Sequence, residues 1–256
     1  MENFVTKNII QLVIPFETVY TSCFLVSTPE GTALLDCATT KQDVDHRILP
    51  TLTKHGLVPD LIFVSHSHGD HMGGLPFLAE AFPKATLVMR RRDRAEQYPS
   101  SRCLIPEDGT LLLECLRVLA LPGHSPDSAA LLDERSNTLF SFDCLQAQGL
   151  DRFGTGLNNI ADYISSINRI KSKDIDKIVA SHRYEPLGTE IIEKQDIPRF
   201  LDICLADIDE ILAFTRQFPT ATEEEIAKRF NADHPSHPLI GKGTIGAARR
   251  HIQAIE

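Results

Sequence analysis

Ser65-His66-Ser67-His68-Gly69-Asp70-His71-Met72-Gly73-Gly74 packs three imidazoles and a carboxylate into positions 66–71. Imidazole nitrogen and carboxylate oxygen are the donors that borderline divalent cations prefer, and four of them at this density exceed what an ordinary core pairs off. The stretch reads as a metal site. Before it, Leu61-Ile62-Phe63-Val64 is a short apolar run of strand type, while Leu75, Leu78, Ala79 and Phe82 after it repeat at helical spacing. The four donors therefore belong on a strand-to-helix loop, with Gly69, Gly73 and Gly74 permitting a tight backbone path.

Outward from this loop the pattern alternates. Residues 9–14, 21–26 and 32–36 read as antiparallel strands, with Pro29-Glu30-Gly31 as a turn. Residues 41–56 carry Val44, Ile48, Leu49 and Leu52 on one helical face and end at Gly56, a C-cap. Strands are expected at 61–65, 85–89, 111–113, 116–120, 129–132, 138–142 and 177–180, with helices from about residue 74 and over 159–171. Three of the later strands hand over to polar residues: Pro122-Gly123-His124, Asp143 and Ser181-His182. Such alternation defines a layered α/β fold with functional groups at strand ends. After Pro198 the pattern becomes helical, with a stripe from Phe200 to Leu212, a capping box at Thr222-Glu223-Glu224-Glu225 and a last stripe from Ile245 to Ile255. The division expected is 1–195 for the main domain and 196–256 for a C-terminal helical extension.

With 256 residues, 42% hydrophobic and 24% charged, the chain can bury a large core. Its net charge of -9 opposes broad attraction to nucleic acid or an acidic membrane, both of which need an excess of Lys and Arg on the contact face. Met1-Glu2-Asn3-Phe4-Val5 lacks the basic and apolar regions of a signal peptide, and no apolar run reaches bilayer length. The expectation is a cytoplasmic protein with a small-molecule substrate and no nucleic-acid or membrane partner. Six cysteines without any Cys-x-x-Cys fit buried free thiols better than disulfides. The oligomeric state is not fixed by sequence.

The pattern His66-x-His68-x-Asp70-His71 resembles the signature of the metallo-β-lactamase superfamily, and the family's remaining segments recur in order. Leu121-Pro122-Gly123-His124-Ser125 resembles the segment of its third histidine. Phe140-Ser141-Phe142-Asp143 resembles that of its strand-ending aspartate, and Ala180-Ser181-His182 that of its last histidine. Phe142 stands where the family more often has glycine. The resemblance covers about residues 8–190 and implies a four-layer αββα sandwich. It implies two divalent ions, zinc foremost with iron or manganese also suited. His66, His68 and His124 would hold one ion, Asp70, His71 and His182 the other, and Asp143 would bridge them. Asp36, matching an aspartate that supports the site in relatives, would accept a hydrogen bond from a ligand imidazole and fix its tautomer.

This ligand set implies hydrolysis of an ester-like carbonyl, a thioester or lactone foremost. Paired ions bring the pKa of a shared water from about 15.7 towards 7, and the resulting hydroxide attacks the carbonyl while Asp70 orients the water or carries its proton. Relatives of the hydroxyacylglutathione hydrolase type carry a tyrosine two residues after the last histidine and a basic residue nine after the bridging aspartate. These positions are Tyr184 and Arg152 here, as candidate substrate contacts. The aromatic residue expected next falls on Gly154. Arg249 and Arg250 either meet an anionic substrate or form a solvated helix face. Three alternatives stay open: a nuclease with a winged-helix-like C-terminal module, an iron-dependent persulfide dioxygenase, and a non-catalytic effector on the same fold.

Overall fold

The computed structural model describes residues 2–16, 19–98, 102–147, 155–184, 186–236, 238–239 and 241–256; Arg152 and Gly154 lie outside the described residues. The strands fall into two sheets. The chain divides into two compact units, Met1–Ala120 with Ala129–Arg135, and Leu121–Ser128 with Ser136–Glu256.

In the first unit, β1 (Glu2–Thr6), β2 (Ile9–Phe16), β3 (Val19–Thr28), β4 (Gly31–Leu35), β5 (Leu61–Val64), β6 (Thr86–Met89) and β7 (Cys103–Leu104) lie side by side in chain order. Pairing is antiparallel from β1 to β4 and parallel from β4 to β7. The parallel half needs crossovers, and the sequence supplies them as helices. The expected helix at 41–56 is built as α1 (Lys41–Asp43), a π-helical turn Val44–Ile48, and α2 (Leu49–His55). Thr40 and Asp43 form a reciprocal capping box at its start, and Gly56 closes it in the left-handed conformation. Val44, Ile48 and Leu52 then join Ile10, Leu12, Ile14, Leu34, Ile62, Val64, Leu87, Leu75 and Leu78 in one buried apolar cluster. Burial of each such side chain stabilises by about 1.5–3 kcal/mol, far more than the propensity difference of a distorted turn, so the π turn is tolerated. A hairpin of β8 (Leu111–Leu112) and β9 (Leu116–Ala120), with β10 (Ala129–Asp133) antiparallel to β9, completes this unit.

The ligand loop departs from a plain loop. His66 and His68 precede the one-turn α3 (Gly69–Met72), which carries Asp70 and His71; α4 (Leu75–Ala81) follows, and the short α5 (Arg92–Ala95) comes after β6. Gly73 and Gly74 are required by close approach, because a Cβ on either would fall inside the carbonyl of Thr39 or Cys37. Gly69 faces open space, so its steric need is absent.

In the second unit, β11 (Thr138–Phe142) pairs in parallel with β12 (Lys177–Tyr184), which pairs antiparallel with β13 (Thr189–Glu193). The crossover helix α6 (Ile160–Lys171) is capped by Asn159 and buries Ile160, Tyr163, Ile167 and Ile170. The sequence places the end of this last strand at Ser181-His182; it runs on to Tyr184, so His182 sits within it. The C-terminal stripes become α7 (Ile197–Arg216), α8 (Glu223–Asp233) and α9 (Gly243–Ile255), with the Thr222–Glu225 capping box in place. Among the described residues no helix is long and apolar enough to cross a membrane. All six cysteines are free thiols.

Phe142, just before Asp143, takes a backbone conformation that favours glycine. Its φ is 48°, in the left-handed region, and the β11–β12 register shifts at this residue. That conformation costs a non-glycine residue about 1–2 kcal/mol. Its fully buried ring, 6.4 Å from that of Phe140, offsets the cost. Since Phe→Ala in a core costs about 3–5 kcal/mol, Phe142→Gly relieves the backbone yet is expected to lose about 2 kcal/mol or more in urea unfolding of the metal-free protein. An unfolding midpoint equal to or above wild type would show that the strain dominates.

Candidate metal centre

In the first unit the centre is built outward from Asp36, which follows β4 with φ 60°. Asp tolerates this conformation better than most residues, and it brings the carboxylate under the end of β5. Oδ1 accepts the Ser65 amide at 2.8 Å, Oδ2 accepts the Ser65 hydroxyl at 2.9 Å, and His71 Nδ1 lies 2.7 Å from Oδ2. Asp36 and His71 are both fully buried. Burial pushes the Asp36 carboxyl above its usual range, while His71 and the two Ser65 donors pull it back. An imidazole whose Nδ1–H is given to Asp36 presents Nε2 as its free electron pair. Ser65 Oγ also lies 3.0 Å from His66 Nδ1, so one carboxylate orients His71 directly and His66 through a hydroxyl.

The outer nitrogens pair off as donors to a shared cation would. His66 Nε2 lies 3.0 Å from His68 Nδ1, and His71 Nε2 lies 3.2 Å from Asp70 Oδ2. Arg91 Nη1 donates to Ser67 Oγ at 3.3 Å and the guanidinium pairs with Asp93, so Arg91 braces this loop.

In the second unit the centre turns on Asp143. Its Oδ1 lies 3.2 Å from His182 Nε2 and its Oδ2 3.6 Å from His124 Nε2. One carboxylate thus offers a separate oxygen to each of two imidazoles, the arrangement a bridging ligand requires. His124 Nδ1 is 2.6 Å from the Gly156 carbonyl, which fixes Nδ1 as the protonated nitrogen and leaves Nε2 for a ligand role. Gly123 makes this possible: at φ 139° its carbonyl accepts the Asn158 and Asn159 amides, and a Cβ would strike Tyr163.

Gln146, which the sequence analysis misses, ties these parts together. Its backbone N–H and carbonyl both bond the Tyr163 hydroxyl, at 2.7 and 2.8 Å. Its Oε1 accepts the Gly156 amide at 3.0 Å, while its Nε2 packs 3.1 Å from His124 Nδ1, a contact and not a hydrogen bond when Nδ1 carries the proton. No motif marks it beyond its place three residues after Asp143. Tyr184 is fully buried, with its ring edge-on to His182 at 6.2 Å, and burial pushes its hydroxyl well above the usual range. Arg249 donates to the Phe218 and Ala221 carbonyls, and Arg250 Nη2 to the Asn158 carbonyl at 2.9 Å. Both guanidinium groups therefore have structural work within the unit. His234 caps α8, 2.9 Å from Glu210 and stacked on Phe230; His237 lies outside the described residues.

The donor set suits a divalent cation: imidazole nitrogens and carboxylate oxygens, with the other ring nitrogen of His66, His71 and His124 taken by an acceptor. His and Asp groups able to hold a metal ion are present among the described residues.

The family model for the metallo-beta-lactamase superfamily matches residues 17–182. The chain belongs to the metallo-beta-lactamase superfamily. It is 25% identical over 184 residues to the beta-lactamase-like protein 2 homolog of Caenorhabditis elegans, covering 69% of this chain and 58% of that one. It is 33% identical over 141 residues to hydroxyacylglutathione hydrolase 1 of Vibrio vulnificus, covering 54% of each. The chain thus spans little more than half the length of these curated relatives. A metallo-beta-lactamase family protein of Thermus thermophilus superposes with a TM-score of 0.68 at 17% identity, over 98% of this chain and 94% of that one. The fold is therefore that of the family, an α/β architecture with two sheets.

Proposed function

We propose that the protein is a dinuclear metal-dependent hydrolase of an ester-like carbonyl, a thioester or lactone foremost, with residues 1–195 as catalytic domain and 196–256 as helical extension. In this reading His66, His68 and His124 hold one ion, Asp70, His71 and His182 the other, and Asp143 both. The observation that carries it is Asp143, with one oxygen toward His124 and the other toward His182. The hydrolase name of the Vibrio relative supports the reaction class. Zinc is the metal expected from the His and Asp set, with iron and manganese compatible. Bound there, a pair of divalent ions supplies Lewis acidity and lowers the pKa of water.

The chain's own side chains do the rest. Asp36 holds the His71 and His66 rings, Gly156 holds that of His124, and Asp70 takes and positions the proton of the attacking water. The net charge of -9 opposes attraction to a phosphate backbone, and Arg249 and Arg250 each spend donors on main-chain carbonyls, which favours a small-molecule substrate. The test is turnover of thioesters, lactones, phosphodiesters and β-lactams by protein of assayed metal content. Preference for the first two classes supports the proposal, whereas preference for phosphodiesters replaces it with a nuclease.

Tyr184 and Arg152 complete the proposal as substrate contacts. Tyr184→Phe keeps the ring and removes the one hydrogen bond its hydroxyl would give the substrate, so KM for a thioester or lactone should rise by up to about tenfold, with kcat and metal content nearly unchanged. Loss of turnover at full metal content would instead make Tyr184 a partner of the developing oxyanion.

A further inference from the structure

Thr155-Gly156-Leu157-Asn158 contains no helix or strand, only a parallel bridge from Thr155 to Leu239. Its polar groups are nonetheless taken up almost throughout. The Gly156 carbonyl holds His124 and its amide donates to Gln146. The Thr155 amide donates to the Pro238 carbonyl at 3.1 Å, and its hydroxyl donates to Asp207 Oδ2 at 2.7 Å. One hydroxyl, Thr244 Oγ1, accepts the Leu157 amide at 3.0 Å and donates to the Thr155 carbonyl at 3.2 Å. Arg250 closes the far end on the Asn158 carbonyl.

Asp207 lies on α7, Pro238 and Leu239 between α8 and α9, and Thr244 and Arg250 on α9. Thr155, Asp207 and Thr244 are all buried. A buried carboxyl and a buried hydroxyl with donor and acceptor both used are costly ways to join a helix to a loop if apolar packing alone were needed. We infer that α7 and α9 are a working part of the metal centre, clamping residues 155–158 so that the Gly156 carbonyl holds the His124 imidazole in its ligand tautomer and direction. Thr244 is the central positioning residue. The inference rests on the reading of His124 as a ligand and extends it to helices that follow the family match.

Cobalt(II) titration of the full-length, metal-stripped protein tests this, read by absorption spectrum and by competition with a chelator. His124→Ala should lose one of two cobalt ions. Thr244→Val should bind that same ion about tenfold or more weakly, with an altered spectrum, while Thr244→Ser stays within about twofold of wild type. A folded Thr244→Val protein that binds both ions as wild type overturns the inference and leaves His124 as a ligand. Equal weakening in the Val and Ser variants also overturns it. Wild-type binding by His124→Ala removes the ligand reading and the inference together. Where Thr244→Val fails to fold, the exposed Arg250→Ala decides, a weakening of about threefold at the same ion supporting the clamp and no change refuting it.

Discussion

Asp143→Ala is expected to lower metal content below one ion per chain and to reduce kcat/KM by roughly a thousandfold or more, about 4 kcal/mol of transition-state stabilisation. The argument is geometric. The Asp143 oxygens serve two different imidazoles, His182 at 3.2 Å and His124 at 3.6 Å, so removing this carboxylate takes a donor from both proposed ions at once. It also removes the negative charge between two histidines that would otherwise face only neutral donors. His182→Ala takes a donor from one ion and should leave the other bound. Metal analysis with a turnover assay separates the cases: an Asp143→Ala protein that keeps two ions shows that the carboxylate is no bridge. One that keeps a single tightly held ion shows that it belongs to one ion alone.

What could be read in advance follows from how local each feature is. His66, His68, Asp70 and His71 lie within six positions, so their clustering is visible in one window, whereas His124, Asp143 and His182 were expected from the ordered likeness to the family. The capping box at Thr222 and the C-cap at Gly56 are equally local, whereas the capping box at Thr40 was not read in advance. β1 was not legible, because Glu2-Asn3-Phe4-Val5-Thr6 is half exposed and lacks a clean alternation. The two-residue β7 is too short to carry a period. The 155–158 segment was invisible for a different reason. It is specified by partners 50 to 90 residues later in the chain, Asp207, Thr244 and Arg250, and no window of sequence contains both sides of those bonds. Gln146 likewise looks like any polar residue until the Tyr163 hydroxyl, the Gly156 amide and the His124 ring are placed around it.

Asp70→Asn alters both the second ion's ligand and the proposed proton carrier, and its expected result is a fall in kcat of about a hundredfold or more with the first ion retained. Asparagine keeps the size and one carbonyl oxygen, but it has neither the negative charge nor the basicity to take a proton at neutral pH. Asp70 suits this role better than the other two carboxylates of the centre. Asp36 is fully buried with both oxygens committed to Ser65 and His71, and the Asp143 oxygens are directed at His124 and His182. Asp70 retains 15% exposure of its side chain, enough for a carboxylate to meet water. On the proposed ligand set the variant should therefore lose rate while His66, His68 and His124 go on binding their ion. An Asp70→Asn protein with wild-type rate and wild-type metal content would withdraw the water-activation mechanism, because no other carboxylate of the centre is placed to replace it.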